Sequence, residues 1–260
     1  MSKKALLVVS FGTSYEDTRK KTIESCENLL HKTFKDYDFF RAYTSQMIIR
    51  KLASRDGLYI DNASQALQKI YEAGYDEVLI QSLHIICGEE YDKLKRQIEP
   101  FKAKFKKLSF GRPLLTTIDD YKAAVSATLS SLPKLKEHEG IVFMGHGTYH
   151  ESFSAYCTLE YMFQHLGAPI YVGTVEGYPT LDEVLYKLQK DSITQVYLAP
   201  FMLVAGDHAI NDMAGDEEDS WKIILSQHGI QSKILLQGLG ENKEIQKLFV
   251  NHALDCVNSF

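Results

Sequence analysis

Three side chains able to bind a transition metal recur at comparable places in the second half of the chain. They are His146 in Gly145-His146-Gly147, Glu176 before Gly177-Tyr178-Pro179, and His208 in Gly206-Asp207-His208. Each follows a run rich in apolar residues, such as Ile141-Val142-Phe143-Met144, that reads as a strand of a parallel sheet. Open α/β sheets place their ligands outside the carboxyl ends of the strands. Neighbouring strands lie about 4.8 Å apart, so side chains at their ends can converge on one ion. Two imidazoles and a carboxylate suit cobalt, iron, nickel or zinc better than calcium or magnesium. Three protein ligands leave coordination positions open, as a working metal site requires. Singly, each residue has a plainer reading: a half-buried histidine, a helix-capping acid, a helix-start residue beside Asp207. Their recurrence at equivalent strand ends favours the metal site.

Other candidates lie in the first half. Ser10-Phe11-Gly12-Thr13-Ser14 stands between a strand and a helix, where backbone N–H groups can cradle an anion. It lacks the glycine spacing of a phosphate loop, so a structural turn is the competing reading. His84 falls in the apolar run Leu83-His84-Ile85-Ile86, where a satisfied core histidine is the plainer reading. Ser10, Phe11, Gly12, Thr13 and His84 are the candidate ligand-binding residues of this half. Glu89 and Glu90 follow Gly88 as Asp207 and His208 follow Gly206. They are candidates for proton transfer or for steering a cation, against the alternative of two acids opening a helix.

The elements that must position these residues repeat. Leu6-Leu7-Val8-Val9 with Ser10-Phe11-Gly12-Thr13 aligns with Val142 to Thr148, Gly12 over Gly147 and Phe11 over His146. Val78 to Gly88 aligns without a gap on Val196 to Gly206. Helices are expected from about Tyr15 to Lys32 and from Ser152 to Leu166, and further strands at Phe39–Tyr43 and Ile170–Val175. Pro113-Leu114-Leu115 and Ile234-Leu235-Leu236 are expected to close the two halves. Elements recurring in one order imply a duplicated βα unit. The fold class is α/β: two similar lobes, each a parallel sheet flanked by helices. The lobes are placed at 1–132 and 133–260, and the last helix, around Lys243 to Val257, is free to pack on either.

Composition excludes several classes. The formal charge of -5 gives no basic face for nucleic acid. No apolar run approaches the roughly 20 residues that span a bilayer. The N-terminal apolar run is too short for a signal peptide and reads as the first strand. Cys26, Cys87, Cys157 and Cys256 show no metal or redox spacing, and a reduced, cytoplasmic setting is expected.

Five stretches together closely resemble the anaerobic sirohydrochlorin cobaltochelatases, CbiK, of the class II chelatases. They are Ser10–Ser14, Met47-Ile48-Ile49-Arg50-Lys51-Leu52, Gln81–Ile86, Phe143–Gly147 and the long, specific Met202-Leu203-Val204-Ala205-Gly206-Asp207-His208-Ala209-Ile210-Asn211-Asp212-Met213. The likeness runs from Lys3 to about Phe249. It implies two flavodoxin-like lobes with a cleft between them and insertion of Co2+ into sirohydrochlorin on the route to cobalamin. It also implies that His146, Glu176 and His208 bind the metal and that His146 accepts a proton. Co2+ is then a substrate, with Fe2+ or Ni2+ able to suit the same donors. No organic cofactor is expected; the partner is the tetrapyrrole, and self-association is left open.

The chemistry suits those residues. The macrocycle must lose two pyrrole protons as the metal enters, and imidazole can bind metal or accept a proton near neutral pH. A polycarboxylate ring calls for cationic donors, for which Arg50, Lys51, Arg55, Lys93 and Arg96 are candidates. The alternatives are a sirohydrochlorin ferrochelatase, a metal-dependent hydrolase, which needs a further general base, and a tetrapyrrole or metal carrier without turnover.

Overall fold

Short apolar strands alternating with helices fold this chain into two four-stranded parallel sheets. The computed structural model describes residues 2–258. The first sheet comprises β1 (Lys4–Ser10), β2 (Asp38–Tyr43), β3 (Glu77–Ser82) and β4 (Lys107–Gly111). Between them run α1 (Glu16–Lys21), α2 (Ile23–Thr33), α3 (Gln46–Asp56), α4 (Ala63–Glu72) and α5 (Glu89–Ile98), and α6 (Ile118–Leu129) follows. The second sheet comprises β5 (Glu139–Thr148), β6 (Ile170–Gly177), β7 (Gln195–Pro200) and β8 (Gln231–Ile234). Its helices are α7 (Ser154–His165), α8 (Leu181–Lys190) and α9 (Trp221–Gln227), and the chain closes with α10 (Lys243–Asn258).

The strand orders are β2-β1-β3-β4 and β6-β5-β7-β8. Both are the flavodoxin-like order carried to four strands, so the duplication read from the sequence is one of topology. Each order reverses once, between β1 and β3 and between β5 and β7, and ligands of such sheets gather at that reversal. Leu6, Leu7, Val8 and Val9 are all buried, because helices cover both faces of a parallel sheet. Ala5, Leu7 and Val9 pack with Leu67 and Ile70 of α4 and Leu94 and Ile98 of α5. In the second sheet Val142 and Met144 pack with Val184, Leu188, Trp221 and Leu225, and Phe143 stacks on Phe163 of α7 at 5.7 Å.

The packing units exchange helices relative to the repeat. One compact unit runs to Thr116 and regains the chain at Lys243; the other is Thr117–Asn242. Helix α10 lays Ile245, Phe249 and Ala253, four residues apart, into the first unit against α2, β3 and β4. Arg112 fixes it there, pairing with Asp255 at 2.8 Å while its carbonyl stands 3.2 Å from His252 Nδ1. Helix α6, opened by a Thr117–Asp120 capping box, packs on α7 in the second unit.

Several boundaries differ from the expectation. The segment 15–32 is two helices: the Thr22 hydroxyl donates to the Thr18 carbonyl at 2.6 Å, and the backbone breaks at Thr22. The fourth strands lie earlier than Pro113–Leu115 and Ile234–Leu236. Proline has no N–H to give a ladder, and past β4 the pairing resumes only after Pro113, where the Leu114 and Leu115 N–H groups donate to the His84 and Ile85 carbonyls beside an isolated Ile86–Leu115 bridge. β3 ends at Ser82, so His84 lies beyond the strand rather than within it.

Candidate metal centre

The end of β5 is shaped by a close approach to β6. The pairing continues past the apolar run, Gly145 with Thr174, Gly147 with Glu176 and Thr148 with Gly177. His146 is therefore inside the strand, near its carboxyl end. Gly147 has φ +83°, and a Cβ there would lie 1.8 Å from the Glu176 carbonyl oxygen. Only glycine allows both the left-handed backbone and that approach. The Gly147 N–H donates to the buried Tyr156 hydroxyl at 3.2 Å, which anchors the turn to α7. His146 is half-buried, and its Nδ1 stands 3.1 Å from the Gly147 carbonyl. A carbonyl only accepts, so Nδ1 carries the proton in the neutral ring and Nε2 keeps the lone pair.

His208 reaches the same place from the next strand. Beyond β7 the chain is pinned by buried Phe201, Leu203 and Ala205. It then enters a π-helical turn, Ala209–Met213, capped by His208. Such turns are rare and often mark functional sites. Ala209 and Met213 are fully buried in the second core. His208 Nδ1 donates to Asp212 Oδ2 at 2.5 Å, so Nε2 again holds the lone pair. The His146 and His208 rings lie 5.0 Å apart, nearly perpendicular at 86°. His146 stands in the last residues of β5 and His208 on the segment leaving β7, the two strands flanking the order reversal.

Glu176 is exposed, in register with Gly147. Among the described residues no three His, Cys, Asp or Glu side chains are gathered closely enough to hold an ion. The structure thus brings His146 and His208 together and leaves Glu176 beside them on the neighbouring strand. In the segments that follow β5 and β6, Phe153 and Tyr178 meet edge to face at 6.2 Å, both exposed, and Tyr149 is 86% exposed.

The first-half candidates are arranged differently. Ser10 ends β1 with its hydroxyl buried and without a hydrogen-bond partner. Phe11 is exposed, Gly12 has φ +94° over the Tyr43 ring, and the Thr13 hydroxyl accepts from the Tyr15 N–H at 3.2 Å. His84 is buried, with Nδ1 2.8 Å from the Ser82 hydroxyl and Nε2 3.3 Å from that of Thr44. Burial, with the Lys93 charge as a lesser cause, pushes its pKa down to about 4. Glu89 and Glu90 occupy the first turn of α5, Glu90 3.5 Å from Lys93. Of the basic candidates, Arg55 is held by Asp56 and the Ser14 carbonyl, and Lys93 donates to the Thr44 carbonyl. Arg50, Lys51 and Arg96 are exposed.

A family model described as cobalt chelatase (CbiK) matches residues 4–258. The chain belongs to the CbiK cobalt chelatase family. It is 49% identical over 256 residues to the sirohydrochlorin cobaltochelatase of Salmonella typhimurium strain LT2, covering 98% of this chain and 97% of that one. It is 32% identical to the sirohydrochlorin cobaltochelatase CbiKC of Nitratidesulfovibrio vulgaris strain Hildenborough, covering all of this chain and 92% of the relative. Among solved structures, SirB from Bacillus subtilis with Fe3+ superposes with a TM-score of 0.65 at 14% identity, over 98% of this chain and 96% of that one. At that identity the likeness is one of fold: the two-lobe chelatase arrangement of parallel sheets.

Two features at the carboxyl end of the second sheet escape a reading of residue types. Asp212 was visible only as part of a long motif, although its spacing of four from His208 is the signal of a side-chain pair on one helical face. The Phe153–Tyr178 contact joins residues from two loops that no periodicity relates. Among the described residues no helix is long and apolar enough to cross a membrane.

Proposed function

We propose that this chain inserts Co2+ into sirohydrochlorin on the anaerobic route to cobalamin. The observation that carries the chemistry is the pair of half-exposed histidines at the order reversal of the second sheet, their rings 5.0 Å apart and each tied at Nδ1. Co2+ is a substrate. The overall change is sirohydrochlorin plus Co2+ giving cobalt–sirohydrochlorin and two protons.

In this reading His146, His208 and Glu176 replace part of the water shell of the ion, Glu176 swinging in from β6 as the cation arrives. A nitrogen cannot hold metal and proton together. His146 Nε2 therefore releases the ion to the ring nitrogens and takes the two pyrrole protons one after the other, passing each to water. One imidazole serves as ligand and proton acceptor in succession. The exposed Phe153–Tyr178 pair offers an apolar surface for the face of the macrocycle. The site donors suit Fe2+ and Ni2+ as well.

An anaerobic assay of purified protein with sirohydrochlorin and Co2+, following the ring absorption, tests this. Insertion well above the protein-free rate is expected. Binding of ring and metal without an absorption change in time would leave a carrier. Faster turnover with Fe2+ in a parallel assay would make the chain a ferrochelatase.

A further inference from the structure

The two histidines are held at Nδ1 by different partners. His146 is tied to the carbonyl of the next residue, a neutral acceptor on its own strand. His208 is tied to a carboxylate four residues on, across a π-helical turn whose Ala209 and Met213 are locked in the core. The backbone at Asp212 is therefore fixed by packing on both sides of the side chain. A carboxylate receiving the Nδ1–H of a metal-binding imidazole fixes its tautomer and orientation and strengthens the other nitrogen as a donor. A backbone carbonyl sets the tautomer but adds no charge.

We propose that Asp212 is a positioning residue that makes His208 the standing anchor for the incoming divalent cation, leaving His146 as the ligand that is exchanged. This rests on the chelatase reading above and adds a division of labour to it. An ion entering from water needs one strong protein donor to wait on. Handing it to the macrocycle then requires another donor to let go and be protonated. The carboxylate-backed ring suits the first task and the carbonyl-backed ring the second.

The test is Co2+ affinity in the absence of tetrapyrrole, by titration of the cobalt absorption bands. It uses the full chain, Asp212→Asn, Asp212→Ala, His208→Ala and the double variant Asp212→Ala/His208→Ala. Asp212→Ala should weaken Co2+ binding about 10- to 100-fold. Asp212→Asn, which keeps the shape and loses the charge, should fall between. Melting temperatures should change little, because Asp212 is partly exposed. With His208 already removed, loss of Asp212 should have no further effect. In turnover, the KM for Co2+ should rise more than kcat falls.

Unchanged Co2+ affinity in both Asp212 variants would overturn the proposal. So would an equal loss in the His208→Ala background, since Asp212 would then bind the ion itself. A merely structural role would lower the melting temperature without a specific loss of Co2+ affinity. If Co2+ binding follows the expected pattern while the native chain makes no cobalt–sirohydrochlorin, the function fails and the anchoring role stands.

Discussion

At the carboxyl end of the first sheet the histidine is buried, whereas at that of the second a pair of them is half-exposed. His84 has a hydroxyl at each ring nitrogen and a pKa pushed down to about 4 by burial. Such a ring has no nitrogen to offer a metal and stays neutral at pH 7. His146 and His208 are each half-exposed, with Nδ1 held by an acceptor. The strand order beneath them is the same. Two copies of one scaffold thus hold imidazoles at the carboxyl ends of their sheets, and the degree of burial sets them apart. The alignment sharpens the point: Phe11 stands where His146 does, and Glu89-Glu90 stand where Asp207-His208 do.

The largest effect should come from converting one end into the other. His146→Phe installs the residue of the first sheet in the second and should fold normally, since His146 is half-buried and its strand is held by its neighbours. His146→Ala tests the ring alone. Both should lose metal insertion by about 10²- to 10⁴-fold, the range for a removed proton acceptor. Near-normal turnover in either would remove the proton-acceptor role and with it the functional contrast between the sheets.

Next come the paired turn glycines. Gly147→Ala places a methyl 1.8 Å from a backbone oxygen of β6 at a positive φ, with no flexible group to give way. A loss of about 3 kcal/mol or more is expected in denaturant unfolding, together with weakened Co2+ binding as β5 and β6 part beside His146 and Glu176. Gly12→Ala meets the Tyr43 ring at 2.5 Å, a side chain rather than a strand, though a fully buried one. It should cost less, about 2 kcal/mol. The reverse ranking would mean that the β5–β6 approach is not what requires Gly147.

That much of the comparison could be read before any coordinates. The aligned glycines and the strand-end His146, Glu176 and His208 are short-range signals, each written within a few residues. What could not be read depends on distant contacts. His84 looked like part of a strand because Leu83, Ile85 and Ile86 around it are apolar, and only Ser82 and Thr44 settle its ring. Helix α10 is amphipathic wherever it lies; its seat beside β4 is chosen by Arg112 and the groove beside α2. Asp212 matters because the turn at Ala209–Met213 is π-helical, and no composition rule announces such a turn.

The buried histidine should also make itself felt in acid. Its folded pKa of about 4 lies below the 6.5 of an ordinary histidine, so the unfolded chain binds the extra proton first as pH falls. Stability from this group is present above about 6.5 and is lost as pH drops towards 4, by on the order of 3 kcal/mol in all. Urea midpoints at pH 7 and pH 5 should show the loss in the native chain, and His84→Gln should flatten it. An unchanged pH slope in that variant would mean that other groups dominate acid sensitivity.

The smallest effect is expected where the two sheets differ most in charge. Glu89 and Glu90 stand opposite Asp207 and His208 in the alignment, which invites a catalytic role for them. Their geometry points to a simpler one. They lie in the first turn of α5, whose cap, Gly88, provides no side-chain acceptor for the exposed N–H groups, and Glu90 faces Lys93 at 3.5 Å. Two acids at that position offset the positive end of the helix dipole, each by roughly 0.3–1 kcal/mol. Lys93 is itself committed to the Thr44 carbonyl, the backbone of the residue whose hydroxyl meets His84. Changing both glutamates to Gln keeps their size and removes both charges. It should lower stability by that modest amount and leave insertion near normal. A loss of turnover on the order of 10²-fold at unchanged stability would instead assign them proton transfer. In that case the first sheet would contribute a reacting group, and the contrast between buried and half-exposed imidazoles would no longer account for which sheet does the chemistry.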